Sequence, residues 1–431
     1  MTPSIKLFST LYLVVCASIF SSTAQQEQVL GFTQELWQSN LTNPAMLPEK
    51  KIHIMLPSVF VSGNTDYSLN DFIHVDPESG RRQLIDTVIL AKLTNSNKLA
   101  ANTNIQTIGA SFPINNKIRV SVNHAIIGDS KFDISGDLAR GVVRGISQFA
   151  GRTVALGSAE NGNLRNELGI GISYALNGNI NLGVRVKLLS GVAGVFTPTT
   201  KVDATFDAAA KQINFNNDFS VMTFSENRIK DIAGNLVSPF SSNSGFSFDL
   251  GGTFKLGKLN FSASLLDIGG SINWKNGGKT YSTKGNFTYN GNNAADLFNP
   301  AKTGYLDSLK KYIGYTETPS ATYTQNLPLR IYLSGSYEVN NYLRLGALFY
   351  NEGGNNSQSG IVFDASTHIG KIVNFGLSYG SRYGSFNNLG THLTLNLGPV
   401  QLYGLTDNVL ALFTPYDAKS ASGRLGVNLA F

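Results

Sequence analysis

The sequence predicts an all-β fold, an antiparallel transmembrane β-barrel of about 14 strands with an N-terminal hatch or plug segment. Three observations predict it. Charged residues make up only 14% of the 431-residue chain, against ~25% in soluble domains. No apolar run after the N-terminus approaches the ~20 residues of a membrane helix. From residue 105 onward apolar and polar residues alternate with period two, in runs joined by connections that are by turns short and long.

The N-terminus reads as an export signal. Lys6 supplies a positive start, Leu7 through Phe20 an apolar stretch, and Ser22-Thr23-Ala24 the small residues of a cleavage site. Cleavage is expected after Ala24, so residues 1–24 are read as a signal peptide. Cys16 follows a Leu-x-x-Cys pattern, but Val15 is bulky where lipidation sites want Gly or Ala. Removing residues 1–24 takes away the only cysteine and Lys6, leaving 407 residues with 33 Lys+Arg against 28 Asp+Glu. An exported chain without cysteine cannot use disulfides, so size or the membrane must hold the fold. The mild basic excess is spread along the chain with no Lys/Arg run, which argues against a nucleic-acid partner.

Residues 25–50 are read as the hatch and 51–431 as the barrel. In Asn179–Leu188 the even positions Ile180, Leu182, Val184, Val186 and Leu188 are apolar; the odd ones include Arg185 and Lys187. Gly245–Leu256 and Leu329–Val339 repeat the pattern. Such runs suit a tilted strand crossing a bilayer. Six tight turns join them: Asn115-Asn116, Asn177-Gly178, Gly257-Lys258, Asn340-Asn341, Gly370-Lys371 and Gly398-Pro399. Asn and Gly tolerate the positive φ of tight hairpins. The intervening connections are mostly long, near 62–104, 128–164, 191–243, 268–326 and 408–420. Two are short, near 351–358 and 383–386. Six hairpins, an opening strand near Lys51–Val61 and a closing strand at Ala421–Phe431 give the count of fourteen. Residues 201–224 and 278–290 each leave room for a further hairpin, and 133–148 and 294–312 read as helical.

A sheet in hydrocarbon must close, because each unpaired edge group costs several kcal/mol. Fourteen strands enclose more space than side chains fill, so the lumen should hold water, a plug, or both. Its polar wall is expected to include Arg119, Arg185, Lys187, Asp249, Lys255, Arg330, Glu338, Arg344, Asp364 and His368.

Before the first strand, Asn43-Pro44-Ala45 resembles the NPA motif of the FadL-type long-chain fatty-acid transporter superfamily. That resemblance implies a hatch folded back into a fourteen-stranded barrel. A closer resemblance, to uncharacterised Bacteroidota outer-membrane barrels related to PorV, rests on three segments. These are Asn43-Pro-Ala-Met-Leu-Pro48 leading into Lys51-Ile-His-Ile, Ser264-Leu-Leu-Asp-Ile-Gly-Gly-Ser-Ile-Asn-Trp274, and Gly423-Arg-Leu-Gly-Val-Asn-Leu-Ala-Phe431. It implies fold and location more than activity. On physical grounds Asp267-Ile-Gly-Gly reads as a strand leaving the bilayer, and Trp274 as an interfacial girdle aromatic. The closing strand, ending in Phe431, resembles the signal read by barrel assembly machinery.

No enzyme motif is found. None of the five histidines has HExxH spacing, and no GxSxG or Walker-type loop occurs. His368 and His392 have Ser366 and Thr394 nearby, and chance proximity in a hydroxyl-rich lumen explains that arrangement. The first loop is acidic (Asp66, Asp71, Asp76, Glu78) but lacks EF-hand spacing. No cofactor or metal is called for. The function expected is therefore a FadL-like outer-membrane channel for passive uptake of a small, hydrophobic molecule through a plugged barrel. The rival is a barrel that binds a secreted or surface protein through loops 128–164, 191–243 and 268–326.

Overall fold

The computed structural model describes residues 27–48, 50–209, 212–225, 240–290, 315–354, 358–381, 386 and 388–431. The signal segment 1–24 and the helix expected at 294–312 lie outside them. The barrel strands are, in chain order, β1 (His53–Thr65), β2 (Ser96–Pro113), β3 (Ile118–Ser135), β4 (Ala159–Ala175) and β5 (Ile180–Phe206). They continue as β6 (Ser244–Leu256), β7 (Leu259–Trp274), β8 (Arg330–Glu338), β9 (Leu343–Glu352) and β10 (Gln358–Ile369). The last are β11 (Val373–Gly380), β12 (Leu389–Leu397), β13 (Val400–Thr406) and β14 (Ser420–Ala430). Each pairs antiparallel with its neighbours, and β1 closes on β14 with His53 opposite Ala430 and Asn64 opposite Ser420. This is the closed 14-stranded barrel that the alternation predicts. The register slips between Met55 and Ser58, at Pro57, whose ring nitrogen cannot donate to a ladder.

All six tight turns fall where the sequence puts them, and they divide by chemistry. Asn115, Asn177 and Asn340 each turn Oδ1 onto the backbone N–H groups two and three residues on, at 2.8–2.9 Å. Gly257, Gly370 and Gly398 take φ of 58°, 60° and 66°, which costs glycine no Cβ clash.

Alternation becomes two faces. On β5, Leu182, Val184, Val186 and Leu188 are 38–48% exposed, whereas Arg185 and Lys187 are 2% exposed. Phe246, Phe248 and Leu250 on β6 and Leu333 and Tyr337 on β8 continue the outer apolar belt. A contiguous belt of this extent needs hydrocarbon around it.

At the end opposite the tight turns the sheet runs on past the barrel. At ~3.3 Å per residue, 27-residue β5 has a contour of ~90 Å, far more than a crossing requires. Its outer part pairs with Gln212–Ser225, which pairs with Gly278–Asn290, which pairs with Thr316–Pro319. Residues 201–224 thus hold the further hairpin, the end of β5 pairing back on Gln212–Ser225, whereas 278–290 is a single strand. The long connections are shorter than the sequence suggests, because the strands extend into them.

The helical reading of 133–148 is met by α2 (Gly136–Arg144), which touches α1 (Asp86–Lys92), and by a 3-10 turn at Ile146–Phe149. Leu138 and Ile146 pack on Phe149, Val154, Phe206 and Phe215 beneath the extended sheet. Trp274 is not a girdle aromatic. It is fully buried against Phe196, Phe224 and Tyr323, and its indole donates to Gln325 at 3.1 Å. The reason is that β7 reaches beyond the belt into the extended sheet. Among the described residues no helix is long and apolar enough to cross a membrane, which says nothing about crossing by strands.

Candidate functional site

Residues 27–48 lie inside the barrel. Two 3-10 turns, Val29–Phe32 and Trp37–Leu41, carry Val29, Leu30, Phe32, Leu36 and Trp37 to near-complete burial. Leu30 and Leu36 pack on Tyr403 and Leu405 of β13, and Phe32 on Tyr332, Leu348 and Tyr350 of β8 and β9.

The Asn43-Pro44-Ala45 corner is the most heavily fixed part. The Asn43 amide donates to Gly252 O (3.1 Å), Ser262 Oγ (2.7 Å) and Ala263 O (3.1 Å), bridging β6 and β7. Its Oδ1 accepts from Ala45 N at 2.8 Å. Pro44 O accepts from Ser173 Oγ of β4 at 2.7 Å. The wall is cut away to receive this corner. A Cβ on Gly183 would stand 2.2 Å from Pro44 C, and one on Gly251 2.0 Å from Asn43 Oδ1.

The charged wall residues divide by height. Arg185 donates to the Asn40 backbone carbonyl and to its Oδ1 (2.6 Å). Arg344 reaches Gln34 Oε1 (3.0 Å) and Phe32 O (2.6 Å), and Arg119 reaches Pro48 O (3.1 Å) and Lys50 O (3.0 Å). Lys187 pairs with Asp249 (2.8 Å) and Asp267, and Arg330 with Asp267. Asp364 is buried beside His392, at 3.4 Å. Glu338, however, sits half-exposed at the turn end with Lys255 (3.4 Å). His368 is exposed there against Tyr342 and is not a lumen group. Both have inward parity, but parity does not fix height along the barrel. The hydroxyls near the two histidines in sequence are engaged elsewhere: Ser366 accepts from Arg344 (3.2 Å) and Thr394 donates to Glu35 (3.4 Å).

Three contributors escape the sequence reading. Asp267 is 4% exposed, turned into the lumen, with φ 60°. Opposite it, the two-residue step Phe248 to Leu250 on β6 faces the three-residue step Ile268 to Leu265 on β7. This bulge, eased by Gly269 at φ 63°, breaks the parity that would have marked Asp267. Arg424 of β14, 1% exposed, pairs with Glu27 and donates to Ser58 (2.9 Å). Its place among Leu425, Val427 and Leu429 was the available signal. Arg165 of β4 pairs with Asp129 of β3.

Two chambers flank the segment. Toward the loop end, a small cavity of about 40 Å³ is lined by Leu30, Leu41, Phe60 and Ile127 and by three arginines. Toward the turn end, a cavity of about 200 Å³ is lined by Asn, Ser and Thr side chains together with Phe32, Met46, Phe254, Phe261 and Arg344. Among the described residues no group of three His, Cys, Asp or Glu is placed to hold a metal.

Fold and site together define a closed barrel whose lumen is crossed by its own N-terminal segment. By sequence the chain belongs to the Family of unknown function (DUF5723), whose match covers residues 44–407, most of its length. No curated protein matches it. Among solved structures, a FadL homologue from Pseudomonas aeruginosa is 9% identical, over 95% of this chain and 98% of that one, with a TM-score of 0.45. The P. putida toluene transporter TodX is also 9% identical, over 95% and 96%, with a TM-score of 0.44. The translocator domain of the autotransporter NalP from Neisseria meningitidis is 7% identical, over 91% and 93%, with a TM-score of 0.36. At these values the likeness does not bear on function.

Proposed function

We propose that the chain is an outer-membrane channel, closed by residues 25–50 as a hatch, for passive passage of a small molecule with an apolar body. The observation that carries this reading is the segment's placement across the lumen. Polar side chains of β3, β4, β5, β7, β9, β13 and β14 hold it. Each bond is individually modest, so a hatch held this way can shift without unfolding the wall. The chambers on its two faces supply the path. No chemical step is required of the residues described. Outer-membrane lipid covers the apolar belt, the assembly machinery reads the closing strand, and kinship with PorV-like Bacteroidota barrels belongs to the same reading.

Deleting Gln25–Pro48 tests it. The deleted barrel should still shift on boiling in gels and should conduct several-fold more than wild type in planar bilayers. Equal conductance with an intact barrel refutes the hatch. A second reading, docking of a secreted or surface protein, draws on Leu412 and Phe413 of the last loop, each 77% exposed.

A further inference from the structure

One ion pair crosses the lumen. On the loop side of the hatch, Lys131 Nζ of β3 lies 3.1 Å from Glu352 Oε1 of β9. Among the described residues, every other ion pair between barrel strands joins strands at most two apart. These two strands are six apart, nearly opposite in a ring of fourteen. Fourteen strands ~4.8 Å apart and tilted ~40° would form a round barrel about 28 Å across. A lysine and a glutamate reaching toward each other cover only about half of that, so the two walls are drawn together where the pair forms.

The two ends of this contact differ. Glu352 is 2% exposed, and its other oxygen accepts from the Tyr350 hydroxyl at 2.7 Å, which fixes the carboxylate to the wall. The Lys131 side chain is 31% exposed, on a flexible stem whose ammonium water can take up. Lys131 lies opposite Ala100 of β2, nearer the loop end than Asn104, which lines the small loop-side cavity. The pair thus stands between that cavity and the solvent at the loop end.

We propose that Lys131 and Glu352 form a strut that narrows the loop-side mouth and sets the largest solute it admits. The proposal rests on the channel reading and adds a size limit separate from the hatch. The hatch decides how often the path is open; the strut decides how wide a solute then enters.

The test is proteoliposome swelling by two uncharged sugars, arabinose and raffinose, with full-length Lys131→Cys in a Cys16→Ser background. The ratio of the raffinose rate to the arabinose rate should rise several-fold over wild type, because the strut is gone. Aminoethyl methanethiosulfonate then adds an ammonium on a side chain one atom longer than lysine, and the ratio should fall back toward wild type. Sulfonatoethyl methanethiosulfonate adds an anion of similar bulk, which Glu352 repels, and the ratio should stay high. Each reagent is compared before and after on the same folded preparation. A ratio equal in wild type, Lys131→Cys and both adducts overturns the strut, and so does an equal effect of the two reagents. A pair that only stabilised the wall would leave the ratio unchanged. The same states carried by the Gln25–Pro48 deletion separate the two readings. Swelling with an unchanged ratio leaves the channel standing and the strut refuted; no swelling with either chain refutes the channel itself, and the strut with it.

Discussion

Replacing Asn43 probes how the lumen is closed. Its side chain plays two separable parts: Oδ1 accepts from Ala45 N and shapes the turn, while Nδ2 donates to the β6 and β7 acceptors. Asn43→Ala removes both and leaves buried acceptors without their donor, at ~1–3 kcal/mol for each group that stays unsatisfied. If one to two such groups cannot reach water, the seated hatch loses ~2–4 kcal/mol, and its open population rises roughly 30- to 700-fold. Asn43→Asp separates the parts. Aspartate supports the turn as well as asparagine does, but it sets a carboxylate against Gly252 O and Ala263 O. The expected order of open-channel probability in planar bilayers is Asp at least as high as Ala, with both far above wild type. An Asp variant as closed as wild type would show that turn geometry alone seats the corner, and the donor argument would be wrong.

Two further outcomes follow from the packing. Arg424→Gln breaks a buried pair with Glu27, and an uncompensated buried charge costs ~3–5 kcal/mol. Protease should then reach the N-terminal segment in intact membranes, and adding Glu27→Gln should restore part of the protection. Trp274→Ala empties the aromatic cluster with Phe196 and Phe224 at ~3–5 kcal/mol. The loss should appear as faster hydrogen exchange in 193–225 and 278–282, with the barrel's gel shift on boiling unchanged.

How much of this was legible in the sequence depends on how local each determinant is. The six turns were readable because Asn115 or Gly257 decides its own hairpin with atoms two or three residues away. The faces of β5 and β6 were readable because parity is strict in a regular strand. Parity failed at Asp267, where a bulge adds a residue, and it could not place Glu338 and His368 by height. Trp274 was misread because nothing in its neighbourhood shows that β7 continues past the belt. The hatch contacts join residues far apart, Gln38 to Asn428 for example, and only the closed barrel brings them together.

The central claim is that this chain's own N-terminal segment sits in and closes its barrel. Gln38 and Asn428 exchange two hydrogen bonds of 2.8 Å, hatch to closing strand. In a Cys16→Ser background, Gln38→Cys with Asn428→Cys should be bridged by a short bis-alkylating thiol reagent in intact membranes, and the bridged protein should no longer open. Labelling of both cysteines by maleimide with no bridged product would place the segment elsewhere and contradict the account.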